Sequence, residues 1–320
     1  MARNYTIFDK ITAALHSASS SLIGLFKQFK RKHSLNIYDL IFIETTRCGF
    51  IFKELNMQVK TICDVHNVEA DYFRFNRKES SRLAAKNIHN SEQVTLNSCD
   101  IILVRHEADK QRLKELYKIN ENLHGFILHP VCNFPPKLNL IPFQERDKVI
   151  IFPGSLDISF NEYGLTGFIN RCWPDLDNLG YTLKVAGRNP SSALVGLLAK
   201  QKNVDLIANP PDMEPLMRKA RMLILPDITG TGMKLRVAEA LSYGVPVIGT
   251  INGLRGYRNI SQFGFAVEEI GQMTAVIKGL LTDHEDKLTA LASNAYTIWK
   301  EHYSFEVFSR RLHSILEGIV

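Results

Sequence analysis

The chain lacks any apolar run of the roughly 18–20 residues that a membrane span needs, anywhere in its 320 residues. Its cysteines are few: Cys48, Cys63, Cys99, Cys132 and Cys172, odd in number and widely spaced. That excludes a disulfide framework and a zinc-ligand pattern, and predicts a reducing, cytoplasmic setting. The opening residues Met1–Tyr5 have neither the apolar stretch nor the cleavage site of a secretory signal. Neither half carries an adenine-type dinucleotide fingerprint after its first strand. A Gly-x-x-x-x-Gly-Lys-Ser/Thr phosphate loop, a Gly-x-Ser-x-Gly nucleophile elbow and a metal-ligand triad are also missing. Nicotinamide-dependent reduction, ATP hydrolysis and triad ester hydrolysis therefore lose ground. No internal repeat or low-complexity segment interrupts the chain.

What is present is the composition of a globular protein, 45% hydrophobic and 22% charged, long enough for two domains with separate cores. The net charge is +6, and it is concentrated at the front. Arg3, Lys10, Lys27, Lys30, Arg31 and Lys32 face only Asp9 within the first 32 residues. A nucleic-acid protein would spread such charge along a groove or recognition helix, so no nucleic-acid partner is expected. Ile11, Leu15, Ala18, Leu22, Leu25, Phe26 and Phe29 recur at helical spacing and run into the basic triplet. Residues 9–32 are thus expected to form an amphipathic helix with a basic end. It either packs on the first domain or lies on an anionic inner-membrane surface.

Short apolar runs at 38–43, 59–65, 101–104 and 125–129 alternate with helical patterns at 47–56, 80–97 and 107–116. After a proline-rich stretch over 130–142, runs at 149–155, 181–187, 204–207, 222–225, 245–250 and 265–267 alternate with helices at 164–172, 191–200, 212–220, 272–281 and 287–316 and with one that follows residue 232. Strands alternating with helices predict parallel sheets with right-handed crossovers. The fold class expected is α/β, with two Rossmann-like, doubly wound domains facing a cleft. The divisions are a basic helix and linker over 1–34, a first domain over 35–142 with its linker at 130–142, a second domain over 143–300, and a helix over 301–320 crossing back to the first domain.

The chemistry concentrates in Gly230-Thr231-Gly232-Met233-Lys234-Leu235-Arg236-Val237-Ala238-Glu239. A buried-type strand feeds a glycine-rich turn and then a helix, whose free amides suit a phosphate. Lys234 near the helix start opposes the dipole unless an anion sits there. It is read as a diphosphate partner, with Arg188 as a second. Glu239 is a lone carboxylate in an otherwise apolar stretch and must meet a partner or a ligand: ribose hydroxyls, or Arg236 at i−3. Gly154-Ser155 at the first strand end and Thr250 at a later one are read as lining the same pocket. In the first domain, Asp64-Val65-His66-Asn67-Val68-Glu69 forms a polar strand end. His66 can position a sugar or stabilise developing charge, and Asp64 or Glu69 can orient it. The bland alternative is a helix-capping cluster with Asn67 or Asp71 as the cap. Glu44 and Arg47, which end the preceding strand, are acceptor-side candidates. Together these motifs favour group transfer from an activated donor.

At these residues the chain resembles family 4 of the GT-B glycosyltransferases, retaining enzymes of polysaccharide and lipopolysaccharide assembly. The match runs through Phe152-Pro153-Gly154-Ser155-Leu156, Val185-Ala186-Gly187-Arg188, the 230–241 block with Gly244-Val245-Pro246-Val247, and Asp64–Glu69. The resemblance implies a metal-independent transferase of a hexose-type sugar from a UDP- or GDP-linked donor to a glycan or lipid-linked acceptor. Glu239 would hold ribose, Lys234 and Arg188 the diphosphate, and His66 the sugar. It also implies retention by front-face attack; the protein is expected to be cytoplasmic and, where residues 9–32 lie on lipid, peripheral on the inner membrane face. The family often carries a second glutamate eight residues before Glu239, where this chain has Thr231. Contact with the sugar hydroxyls would then pass to loop amides. Family members usually begin with a strand and a glycine-rich loop, so the first domain is expected to be short by one or two strand–helix units. An inactive partner subunit and a GT-B-like epimerase or phosphorylase are the alternative readings.

Overall fold

A computed structural model describes residues 20–32, 38–53, 59–75, 82–119, 125–128, 140–282 and 285–318. The chain divides into two compact units, 1–129 with 312–320, and 130–311. Of the basic helix expected over 9–32, the described part forms α1, Ser20–Lys32. Residues 1–19, and residues 130–139 of the expected linker, lie outside the described residues.

The first unit is built on four parallel strands, β1 (Leu40–Ile43), β2 (Lys60–Val65), β3 (Ile101–Val104) and β4 (Gly125–Leu128), in that spatial order. Among the described residues this sheet has no reversal of strand order. Ile62 to Val65 are all buried, as expected for a strand covered on both faces. Between the strands run α2 (Glu69–Phe75), α3 (Arg82–Ser98) and α4 (Glu107–Leu116). The helix expected over 47–56 is instead a 3-10 segment, Thr46–Lys53, kinked at Cys48. The cause is tertiary: the Thr95 and Ser91 hydroxyls donate to the Thr46 carbonyl at 2.8 and 3.3 Å, so side chains of α3 occupy an acceptor of the first turn. Gly49 makes the approach possible, since a Cβ there would lie 2.6 Å from the Ser91 carbonyl oxygen.

The second unit carries six parallel strands: β5 (Val149–Ser155), β6 (Thr182–Arg188), β7 (Val204–Ala208), β8 (Met222–Leu225), β9 (Val247–Thr250) and β10 (Gly264–Val267). Their order is β10-β9-β8-β5-β6-β7. The chain winds outward from β5 to β7, then crosses back to lay β8 against the other side of β5. That reversal is the switch point at which open α/β sheets hold ligands. Alternate residues of each strand feed separate cores. Ile150, Phe152, Met222 and Ile224 join Phe168 and Trp173 on one face. Ile151, Leu223 and Leu225 join Val237, Leu241 and Trp299 on the other. The two-residue side-chain period explains why both sets are apolar and the strands read as continuous runs.

The helices are α5 (Ser159–Arg171), α6 (Ser192–Leu198), α7 (Glu214–Lys219), α8 (Leu235–Ser242), α9 (Ile260–Phe263), α10 (Gln272–Thr282), α11 (Glu285–His302) and α12 (Phe305–Glu317). α9 has no counterpart in the sequence expectation, and two other helices differ from it. Gly164, read as a helix start, lies inside α5, where a Cβ would come within 2.5 Å of the Pro226 carbonyl oxygen. The single C-terminal helix splits at Ser304. Its hydroxyl donates to the Lys300 carbonyl at 2.9 Å and accepts from the Val307 amide at 3.4 Å, ending one helix and capping the next.

Candidate functional site

The carboxyl ends of β5, β6, β8 and β9 meet the loop 226–234 and the start of α8. Gly230 and Gly232 hold φ of 109° and 70°, the left-handed region that a side chain resists. Lys234 is the N-cap of α8 rather than a residue inside it. Its ammonium donates to the Thr231 carbonyl at 2.8 Å and stands 5.6 Å from the centre of the Phe160 ring. The Tyr257 hydroxyl donates to the Lys234 carbonyl at 2.9 Å and accepts from the Ala238 amide at 3.1 Å, fixing the first turn of α8. Glu239 lies one turn into α8, half-buried between buried Ala238 and Ala240. Met233 is buried among the apolar residues under the loop.

Arg236, the alternative partner for Glu239, directs its guanidinium elsewhere. It ion-pairs with Asp227 just past β8 and donates to the Pro153 carbonyl at 2.6 Å and to Asn161 Oδ1 at 3.2 Å. It also stacks 5.1 Å from the Phe152 ring centre. Asp227 is fully buried and the Arg236 side chain is 11% exposed. Sequence reasoning missed Asp227. The available signal was a second charge, beside Glu239, in an apolar helix.

Two of the expected pocket residues take part in this network. Gly154 leaves room for Arg236, since a Cβ there would lie 2.6 Å from Nη1. Its bareness serves the arginine. Thr250 is buried, and its hydroxyl donates to the Asp227 carbonyl and accepts from the Gly253 amide at 3.0 Å. It stitches the ends of β8 and β9 together. Ser155 accepts from Asn161 Nδ2 at 2.9 Å and sits in register with Arg188, whose side chain is exposed at the same sheet edge. Two buried oxygens here, Asp227 Oδ1 and Thr231 Oγ1, have no hydrogen-bond partner. Such atoms mark where a ligand group or water is expected.

In the first unit, Glu44, Asp64, His66 and Arg105 share the carboxyl edge of β1, β2 and β3. Buried Asp64 pairs with buried Arg105 at 2.6 Å, while half-exposed His66 approaches the same Asp64 oxygen at 3.4 Å. Burial pulls the Arg105 guanidinium below its ordinary range, and the Asp64 carboxylate works against that shift. Arg47 lies within the 3-10 segment. Glu69 opens α2, and the cap of that helix is neither Asn67 nor Asp71. The Glu92 carboxylate, 23 residues away, accepts from the Glu69 and Ala70 amides at 3.0 and 3.1 Å. Thr46 and Tyr117 hydroxyls complete its shell at 2.8 and 2.5 Å. Burial still raises the Glu92 carboxyl above its usual 4.5. Asp71 instead takes a two-pronged pair with Arg112, at 2.6 and 3.0 Å.

Among the described residues no group of three His, Cys, Asp or Glu side chains is arranged to hold a metal ion, and no helix is long and apolar enough to cross a membrane. Residues 147–283 match the family model described as glycosyl transferases group 1. No curated protein matches the chain in sequence. Among solved structures, sucrose-phosphate synthase from Thermosynechococcus elongatus superposes with a TM-score of 0.69 at 16% identity, over 91% of this chain and 76% of that one. HepE from Anabaena, in complex with UDP-glucose, gives 0.67 at 13% identity, over 88% and 79%. TarM, known from S. aureus, gives 0.63 at 13% identity over 86% of this chain, which spans only 54% of the TarM chain. Residues 147–283 are therefore similar to group 1 glycosyltransferase domains, and the chain that carries them has the GT-B fold.

Proposed function

We propose that the protein transfers a hexose-type sugar from a UDP- or GDP-linked donor to a glycan or lipid-linked acceptor in polysaccharide or lipopolysaccharide assembly, retaining the anomeric configuration. The observation carrying this reading is the convergence, at the switch point of the second sheet, of a left-handed glycine loop, the Lys234 cap and Glu239 one turn into α8. The loop amides and Lys234 would take the diphosphate, with Arg188 beside Ser155 as a second cation. Glu239 would accept from the ribose hydroxyls. Thr231 offers a neutral hydroxyl where a carboxylate is common in the family. On the first unit, His66 and Asp64 are the groups proposed for the transferred sugar, and Glu44, Arg47 and Glu69 for the acceptor. The bond from the anomeric carbon to the phosphate oxygen breaks as the acceptor oxygen bonds to that carbon. The acceptor's proton passes to the departing diphosphate.

The UDP-glucose held by HepE, and the UDP and GlcNAc held by pneumococcal GtfA, support a sugar nucleotide as the donor. The test is thermal stabilisation by UDP, GDP and their sugar conjugates. Wild type is expected to be stabilised by one of them and Glu239→Ala to lose at least tenfold in affinity, since a hydrogen bond to a charged group is worth about 1.5–3 kcal/mol. No stabilisation of wild type by any of these ligands overturns the reading. A free sugar isomer or sugar phosphate as product would favour the epimerase or phosphorylase alternative. Donor binding without transfer would favour a partner subunit. For the membrane, exposed Phe29, Arg31 and Lys32 of α1 support contact with an anionic surface. Sedimentation with anionic but not neutral liposomes is expected, and equal pelleting with both would remove the membrane proposal.

A further inference from the structure

We propose that Arg236 is a positioning residue whose ion pair with Asp227 closes the base of the loop 228–235 and sets its amides and Lys234 for the terminal phosphate of the donor. This rests on the donor site proposed above and deepens it. Arg236 and Asp227 stand at the two ends of the loop, on the first turn of α8 and just beyond β8. Their pairing turns an open connection into a closed ring. The other donors of the guanidinium reach Pro153 at the end of β5 and Asn161 on α5. Asn161 in turn donates to Ser155, and the Asp227 carbonyl accepts from Thr250 and, at 3.3 Å, from Asn252. One planar cation thus ties the strand ends on both sides of the switch point to the helix whose start faces the ligand. A planar fork with fixed directions can do this, whereas a point charge cannot. The bonds from Nη1 to Pro153 and from Nη2 to Asn161 and Asp227 give the guanidinium the part of holding the loop.

Within the diphosphate, the share proposed here for the loop amides and Lys234 is the terminal phosphate and that of Arg188 the inner one, so the signature is lost discrimination between diphosphate and monophosphate. The experiment compares UDP with UMP, and GDP with GMP, by calorimetric titration of the intact chain. The variants are Arg236→Gln, Arg236→Lys, Asp227→Asn and Gly154→Ala, the last leaving every charge in place while putting a methyl 2.6 Å from Nη1. Each is expected to weaken diphosphate binding tenfold or more and to leave monophosphate binding within twofold. Lysine should not rescue, because it keeps the charge and loses the fork. An unchanged ratio of diphosphate to monophosphate affinity, an equal loss of both, or full rescue by Arg236→Lys overturns the proposal. If wild type binds no nucleotide diphosphate, the donor site itself fails and this role goes with it. Wild-type binding with unaltered variants sinks the positioning role alone.

Discussion

At the residue scale, buried partners decide what Asp64 and Arg236 can do. Asp64 and Arg105 form a buried pair, and removing one partner of such a pair leaves the other charge uncompensated. Arg105→Met should destabilise the protein by about 3–5 kcal/mol in urea unfolding, and the double change with Asp64→Leu should recover most of the loss. A double variant no more stable than the single would show that the pair is not the cause. Glu92 gives a pH prediction with a definite sign. Its carboxyl titrates higher in the folded state than 4.5 because burial opposes ionisation. Its contribution to stability is therefore fully present below about 4.5 and lost as the pH rises through the folded value. Urea midpoints of wild type and Glu92→Gln, measured across that window, should differ in pH slope, the variant lacking this gain toward acid. Parallel slopes would contradict it.

At the element scale, the site depends on backbone that will not accept side chains. Gly187 pairs with Gly154 across β6 and β5, and a Cβ there would overlap the Gly154 carbonyl oxygen. Gly187→Ala should cost about 3 kcal/mol, at the upper end for overpacking, and is checked by thermal unfolding. Gly232→Ala meets a different obstacle, a left-handed φ of 70°, which costs a side chain roughly 1–2 kcal/mol. It should fold, at reduced stability, and bind nucleotide diphosphate less well. Normal diphosphate affinity would show that the loop conformation is not needed. The 230–241 block was legible in the sequence because strand, turn and helix start are consecutive. The network beneath it was not: Arg236 meets Pro153, 83 residues away. The 3-10 form of 46–53 was hidden for the same reason, since its cause lies in Ser91 and Thr95.

At the scale of the whole molecule, two units with separate sheets and separate cores predict two unfolding transitions. Calorimetry with a saturating nucleotide diphosphate should raise the transition of the second unit, by about 2.7 kcal/mol at a hundredfold excess over the dissociation constant. The transition of the first unit is expected to move less. A single transition displaced as one would mean that the units unfold together.

Local order along the chain was enough to determine the alternation of strand and helix, the division into two α/β units and the position of the glycine loop before α8. Those features arise from side-chain period and turn chemistry, which act between near neighbours. Only the tertiary structure decided the partners of the charges: Arg236 with Asp227 rather than Glu239, Glu92 rather than Asn67 or Asp71 at the start of α2, and Arg105 beside Asp64. A buried ionic group is stabilised by whatever the fold brings within hydrogen-bond distance, and sequence separation has no part in that choice.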